Sequence, residues 1–188
     1  MKEDNGGYNK LIDTRELKCW FKNEVVVDKT YPILKSRQVL GRNISQSAVI
    51  ELLHKKRLTW DKNIDTYEEI IKISSEVSIV HSVTKSPCAF FKARDFVEKR
   101  IEFKSQGATY IYCSSVPDYV YPQEDQYCRC TTIFSGTVLC EENEELVLYC
   151  ISQTDLKTGS LAQSFAMPFL KTAVKRFNEG LLRELTSY

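Results

Sequence analysis

Leu161, Phe165, Phe169, Ala173, Phe177 and Leu181 recur every four residues, with Ala166, Leu170 and Val174 beside them. That spacing predicts a long amphipathic helix at the end of the chain. Ser160, with Gln163 three positions later, supplies a capping box for its start. Pro168 inside it leaves the carbonyl of Ser164 without its usual donor and allows a bend. A helix of about 26 residues reaches roughly 39 Å at 1.5 Å per residue, enough to cross a small sheet. Its apolar stripe has to be buried, and the concave face of a strongly curved sheet is the natural surface for it.

Upstream the period changes. Residues 31–40 read as an extended run, followed by helical spacing at Ala48, Val49, Leu52 and Leu53. Asn43 with Gln46 predicts a capping box for this short helix, residues 44–54, and residues 57–61 read as a second brief helical turn. From Tyr67 onward β-rich runs follow one another at 67–73, 77–84, 95–103, 109–115, 127–134, 137–140 and 146–152. Consecutive strands closed by one amphipathic helix predict an α+β fold with an antiparallel sheet.

At 188 residues the chain has room for one compact domain. It is 43% hydrophobic and 27% charged, which excludes a disordered or collagen-like chain. With 26 basic against 25 acidic residues, the net charge of +1 lacks the electrostatic footprint of a general nucleic-acid binder. Seven irregularly spaced cysteines do not make a disulfide framework. Only Cys128-Arg129-Cys130 approaches a metal-ligand pair, and zinc sites use other spacings, so buried thiols in a reducing compartment are expected. The first residues are polar and no window approaches 18 apolar residues, so neither a signal peptide nor a membrane span is read. A cytoplasmic protein is the expectation.

Four strings then stand in a recognisable order and spacing: Trp60-Asp61 after a short helix, Arg94-Asp95-Phe96-Val97 opening a strand, Thr154-Asp155-Leu156-Lys157 closing another, and Met167-Pro168-Phe169-Leu170 in the last helix. Together they resemble the START (steroidogenic acute regulatory related lipid transfer) domain, from about Trp20 to the C-terminus. The resemblance implies a helix-grip fold, in which a curved antiparallel sheet wraps a long C-terminal helix around an internal apolar tunnel for one lipid. It divides the chain into residues 18–188, the lipid-binding domain, and residues 1–17, where the family's first helix is shortened or truncated.

The resemblance also implies site residues. Arg100, five positions after Asp95, matches a cavity arginine of the sterol-binding members. Their acid partner falls at Ser82 here, with Glu98 or Glu102 as substitutes. Alternation alone reads otherwise: Val97, Ile101 and Phe103 form the apolar face, while Phe96, Glu98, Arg100 and Glu102 form a charged ladder suited to solvent. Arg57 and Asp61 bracket Trp60 at i,i+4 and can pair on a helix surface. In the family's phosphatidylcholine carrier the matching positions bind phosphate. That carrier's aromatic cage for choline keeps only Phe96 here, with His81 and Ile133 at the other places, so choline specificity is not expected. His81 in an apolar strand reads first as a core residue, and otherwise as a lipid contact. The loop with Lys85, Phe90, Phe91 and Lys92 falls where the family has a gate, its rings suited to a bilayer and its lysines to lipid phosphates.

The function so implied is binding of a single lipid and its transfer between membranes without catalysis or cofactor. A phospholipid is favoured over sterol or ceramide, because two arginines suit a phosphate. The expected partners are one lipid and, transiently, a membrane surface, for a monomer that binds no nucleic acid. The alternatives are a lipid-sensing or scaffold module, or a small-ligand or acyl-ester enzyme on the same fold. The nucleophile-elbow, zinc-protease and phosphate-loop motifs are absent from the sequence.

Overall fold

Strand pairing dominates the computed structural model, which describes residues 6–26, 29–86, 91–157 and 163–187. In chain order the elements are β1 (Asn9–Asp13), β2 (Leu17–Val26), β3 (Lys29–Gly41), α1 (Gln46–His54), α2 (Arg57–Trp60), β4 (Ile64–Lys72), β5 (Val77–Thr84), β6 (Arg94–Ser105), β7 (Ala108–Ser115), β8 (Cys128–Arg129), β9 (Thr131–Glu142), β10 (Glu145–Asp155) and α3 (Gln163–Leu185). They form one open sheet in the order β1-β2-β3-β10-β9-β7-β6-β5-β4, antiparallel throughout, with β8 added parallel to β6. In this order β10 joins the three N-terminal strands to the remainder. The two short helices carry the chain from β3 to β4 on the far edge.

Local chemistry accounts for the boundaries. α1 is capped by Ser45, whose hydroxyl accepts the Ala48 N–H at 3.2 Å. Asn43, the expected cap, instead has φ 59° in the turn that follows Gly41, so the helix starts two residues later than predicted. The β6–β7 and β9–β10 hairpins turn on two residues each, Gln106-Gly107 and Asn143-Glu144, all with positive φ. Paired positive φ values match the twist of the flanking strands. The runs at 127–134 and 137–140, expected as two strands, are mainly one. Gly136 does not turn the chain; it lies in β9, where a Cβ would meet Ile151 at 3.3 Å. Residues 9–13, inside the segment set apart as 1–17, form edge strand β1.

α3 lies on the concave face as its stripe requires. Leu181 and Leu185 are buried with Leu40, Val49, Leu52, Trp60, Ile111, Leu139, Leu146 and Leu148, and Phe177 packs against them. Val174 packs on a second cluster, Ile12, Leu17 and Cys19, from the N-terminal strands. The helix runs unbroken through Pro168. Its expected cap at Ser160 and its first apolar position, Leu161, lie outside the described residues.

The alternation of β6 is the reverse of a simple hydrophobic rule. Its charged row, with Phe96 and Glu98, faces the concave interior, while Ile101 and Phe103 face the convex side with Trp20, Tyr110, Tyr112, Val138, Tyr149 and Ile151. That convex groove has a volume of about 740 Å³ and mostly apolar walls.

Candidate functional site

Cross-strand register gathers hydroxyls on the concave face. Ser82 and Thr84 of β5, Phe96 and Glu98 of β6, Thr132 and Ser135 of β9, and Ser152 and Thr154 of β10 line a cavity of about 230 Å³. The β9–β10 register shifts between Gln153 and Thr154, and this bulge lets Thr132 and Ser135, three residues apart, share one face. Six hydroxyls and one carboxyl make this end of the interior far more polar than the tunnel expected from the resemblance. The signal was present as Ser-x-Thr alternation at 82/84 and 152/154, and sequence reasoning passed over it.

Among the described residues Glu98 is the only ionisable one in the cavity wall. Burial pushes its carboxyl above the ordinary 4.5, against the opposing pulls of the Thr132 hydroxyl bonded to it and of the Arg57 charge. The hydroxyls of Ser82, Ser135, Ser152 and Thr154 make no side-chain hydrogen bond to another described residue and line the cavity.

Arg57 and Asp61 form the expected pair, and it is not a surface one. The Arg57 Nε donates to Asp61 Oδ2 at 2.8 Å, and the Asp61 side chain is 1% exposed. Asp61 Oδ1 accepts the Asn63 N–H at 3.0 Å. The guanidinium sits in an aromatic cup of Trp60, Tyr67 and Phe177, with 5.4, 5.9 and 5.0 Å to the ring centroids. Its charge reaches Cys113 and Cys150 on the concave wall as well as Glu98. Its terminal nitrogens make no hydrogen bond among the described residues. Trp60 has a packing role: it is buried, donates its Nε1–H to the Leu52 carbonyl at 2.9 Å, and meets Phe177 edge-on.

Arg100 does not line the cavity. Its guanidinium donates to Glu69 at 2.7 Å, to the His54 Nδ1 at 2.9 Å and to the Tyr67 hydroxyl at 3.3 Å. Glu69 thus takes the role assigned to Glu98 or Glu102, while Glu102 accepts from the His54 Nε2–H at 3.0 Å. Because Arg100 can only donate, His54 holds its proton on Nε2. Burial, with the Arg100 and Arg57 charges, holds His54 below 6.5 despite Glu102.

His81 points to the opposite face from Ser82. It is buried, bonded through Nδ1 to Glu68 at 3.1 Å and packed on Tyr121 with 4.6 Å between centroids. Its Nε2 lies 3.7 Å from Asp95, which in turn holds Arg129 at 2.8 Å. This set clasps the segment after β7 to the sheet, outside the cavity. Of the gate residues, Phe90 lies outside the described residues. Phe91 is half-buried with its ring 5.4 Å from the Arg94 guanidinium, and its carbonyl accepts from the Ser86 hydroxyl. Lys85 and Lys92 are exposed, and Lys92 donates to the Asp125 carbonyl at 2.6 Å. The thiols of Cys113 and Cys130 are pushed by burial to about 12, the range of unreactive sulfur.

Comparison with known proteins converges on one family. The START domain model matches residues 22–182. Human StAR-related lipid transfer protein 6 is 30% identical over 115 residues, 57% of this chain and 51% of that protein, so the match spans about half the relative's length. Among solved structures, human StAR-related lipid transfer protein 5 superposes with a TM-score of 0.83 at 18% identity, covering 99% of this chain and 89% of the other. Human STARD10 gives 0.78 at 19% identity, covering 96% and 75%. A STAR-related lipid transfer protein from Xanthomonas axonopodis gives 0.73 at 15% identity, covering 96% and 99%. These likenesses agree with the curved sheet and C-terminal helix described above. Among the described residues no helix is long and apolar enough to cross a membrane.

Proposed function

The chain belongs to the START domain family, and from that premise we propose that it binds a single phospholipid in the concave interior and moves it between membranes without catalysis. The observation that carries this is the Arg57 guanidinium. One side is fixed by buried Asp61, three rings surround it, and its terminal nitrogens are unbonded among the described residues. A guanidinium held by one nitrogen keeps a fork free for a phosphate. Arg100, with its guanidinium bonded to Glu69, His54 and Tyr67, acts as a positioning residue for the helix α1 end of the same wall. The unreactive thiols of Cys113 and Cys130 suit carriage rather than reaction. Phe91, Lys85 and Lys92 would meet the bilayer when cargo enters.

Native mass spectrometry after incubation with vesicles of mixed phospholipid, sphingolipid and sterol tests this. One adduct of phospholipid mass per chain is expected. Arg57→Lys keeps the charge and loses the fork, and should cut loading about tenfold, the worth of one charge-assisted hydrogen bond. A sterol or ceramide adduct would overturn the phospholipid assignment, and no adduct from any mixture would overturn the carrier function.

A further inference from the structure

Resting on the carrier function, we infer that the hydroxyl-lined cavity receives a protonated primary amine, so that the cargo is an aminophospholipid whose ammonium sits on Glu98. A primary ammonium brings three N–H donors and no acceptor. The cavity offers the complement: one carboxyl, and hydroxyl oxygens from β5, β9 and β10, four of them without a partner among the described residues. A carboxyl partly withdrawn from water carries an unfavourable desolvation term that a bound cation offsets. Thr132 already orients the Glu98 carboxyl by a hydrogen bond, as a preformed acceptor requires.

Other head groups fit less well. A quaternary ammonium has no N–H to give and relies on a cage of rings, whereas among the described residues Phe96 is the only aromatic one in the cavity wall. A phosphate placed here would face Glu98 with like charge, while the open nitrogens of Arg57 lie close enough for its charge to act on Glu98. The interior therefore presents a cationic and an anionic pole, matching the phosphate and the amine of one zwitterionic head. The cavity volume of about 230 Å³ is of head-group rather than acyl-chain size.

The experiment offers the chain vesicles with equal amounts of phosphatidylethanolamine, phosphatidylcholine and phosphatidylglycerol, and reads bound lipid by native mass spectrometry. The ethanolamine lipid should exceed each of the others about tenfold, since N–H bonds to a carboxylate are worth that factor. Glu98→Gln should abolish this preference by lowering ethanolamine-lipid loading about tenfold, to the level of the other two lipids. Stepwise N-methylation of the head group, tested on the unaltered chain, removes donors at constant charge and should lower loading at each step, a result that stands even where the Gln variant loads poorly. Equal loading of the three lipids, a preference for the glycerol head, an intact preference in Glu98→Gln, or indifference to methylation would each overturn the amine assignment while leaving the carrier function in place. No lipid at all on the unaltered chain would instead defeat the carrier function, and the amine site with it.

Discussion

Glu98 costs the empty protein stability in exchange for a binding group. Its folded-state pKa is raised above 4.5, so the protonated form is the one the fold tolerates. Below pH 4.5 the carboxyl is neutral in both states and no penalty arises. As pH rises from 4.5 through the folded-state pKa, the unfolded chain releases its proton first, and stability declines by linkage. At neutral pH Glu98→Gln should therefore raise the melting temperature of the lipid-free protein, and the gain should shrink toward zero by pH 4. Thermal melts of both proteins between pH 4 and 8 check this, and a gain independent of pH would mean the side chain is not buried in its charged form. Stability rising as a binding group is removed is the ordinary trade at functional sites.

At the scale of elements, contact between α2 and α3 holds the arginine cup together. Gly180 of α3 is buried, and a Cβ there would lie 3.1 Å from both the Trp60 carbonyl oxygen and its ring. Gly to Ala inside a helix ordinarily gains about 1 kcal/mol. Here overpacking, typically about 1–3 kcal/mol, acts on a buried tryptophan and on backbone, so Gly180→Ala should be a net loss. Chemical denaturation reads the sign directly, and a stabilised variant would show that α3 can move off Trp60. Nothing in the sequence marks this glycine, because close approach between remote elements has no local signature. What the sequence does carry is periodicity: α3, α1, β5 and most of the later strands stand where the apolar spacing puts them. It misleads where a glycine passes straight through a strand, as at Gly136, and at β6, where the interior is polar and the charged row faces inward. Arg57 and Asp61 were legible from i,i+4 spacing, whereas the Arg100 partner, Glu69 on β4, depends on how three elements meet.

For the whole molecule the decisive feature is the place of β10. It pairs with β3 on one side and β9 on the other, so strands β1 to β3 reach the rest of the sheet through it. A sheet joined through one strand could unfold in two parts or as one unit. α3 favours one unit, because its Val174 packs on the N-terminal cluster while Leu181 and Leu185 pack on the main core. Leu148, fully buried at the centre of β10, belongs to that core. Trp20 in β2 and Trp60 in α2 stand on opposite sides of the junction. With Trp20→Phe as background, Trp60 fluorescence follows one side and far-ultraviolet circular dichroism follows the whole sheet, and the two denaturation curves should coincide. Adding Leu148→Ala should lower stability by about 2–5 kcal/mol, the usual loss for a large-to-small change in a packed core, and should shift both curves together. Separation of the curves in the Ala variant would show that β1 to β3 come away independently, and the helix would then be gripping only the larger part of the sheet.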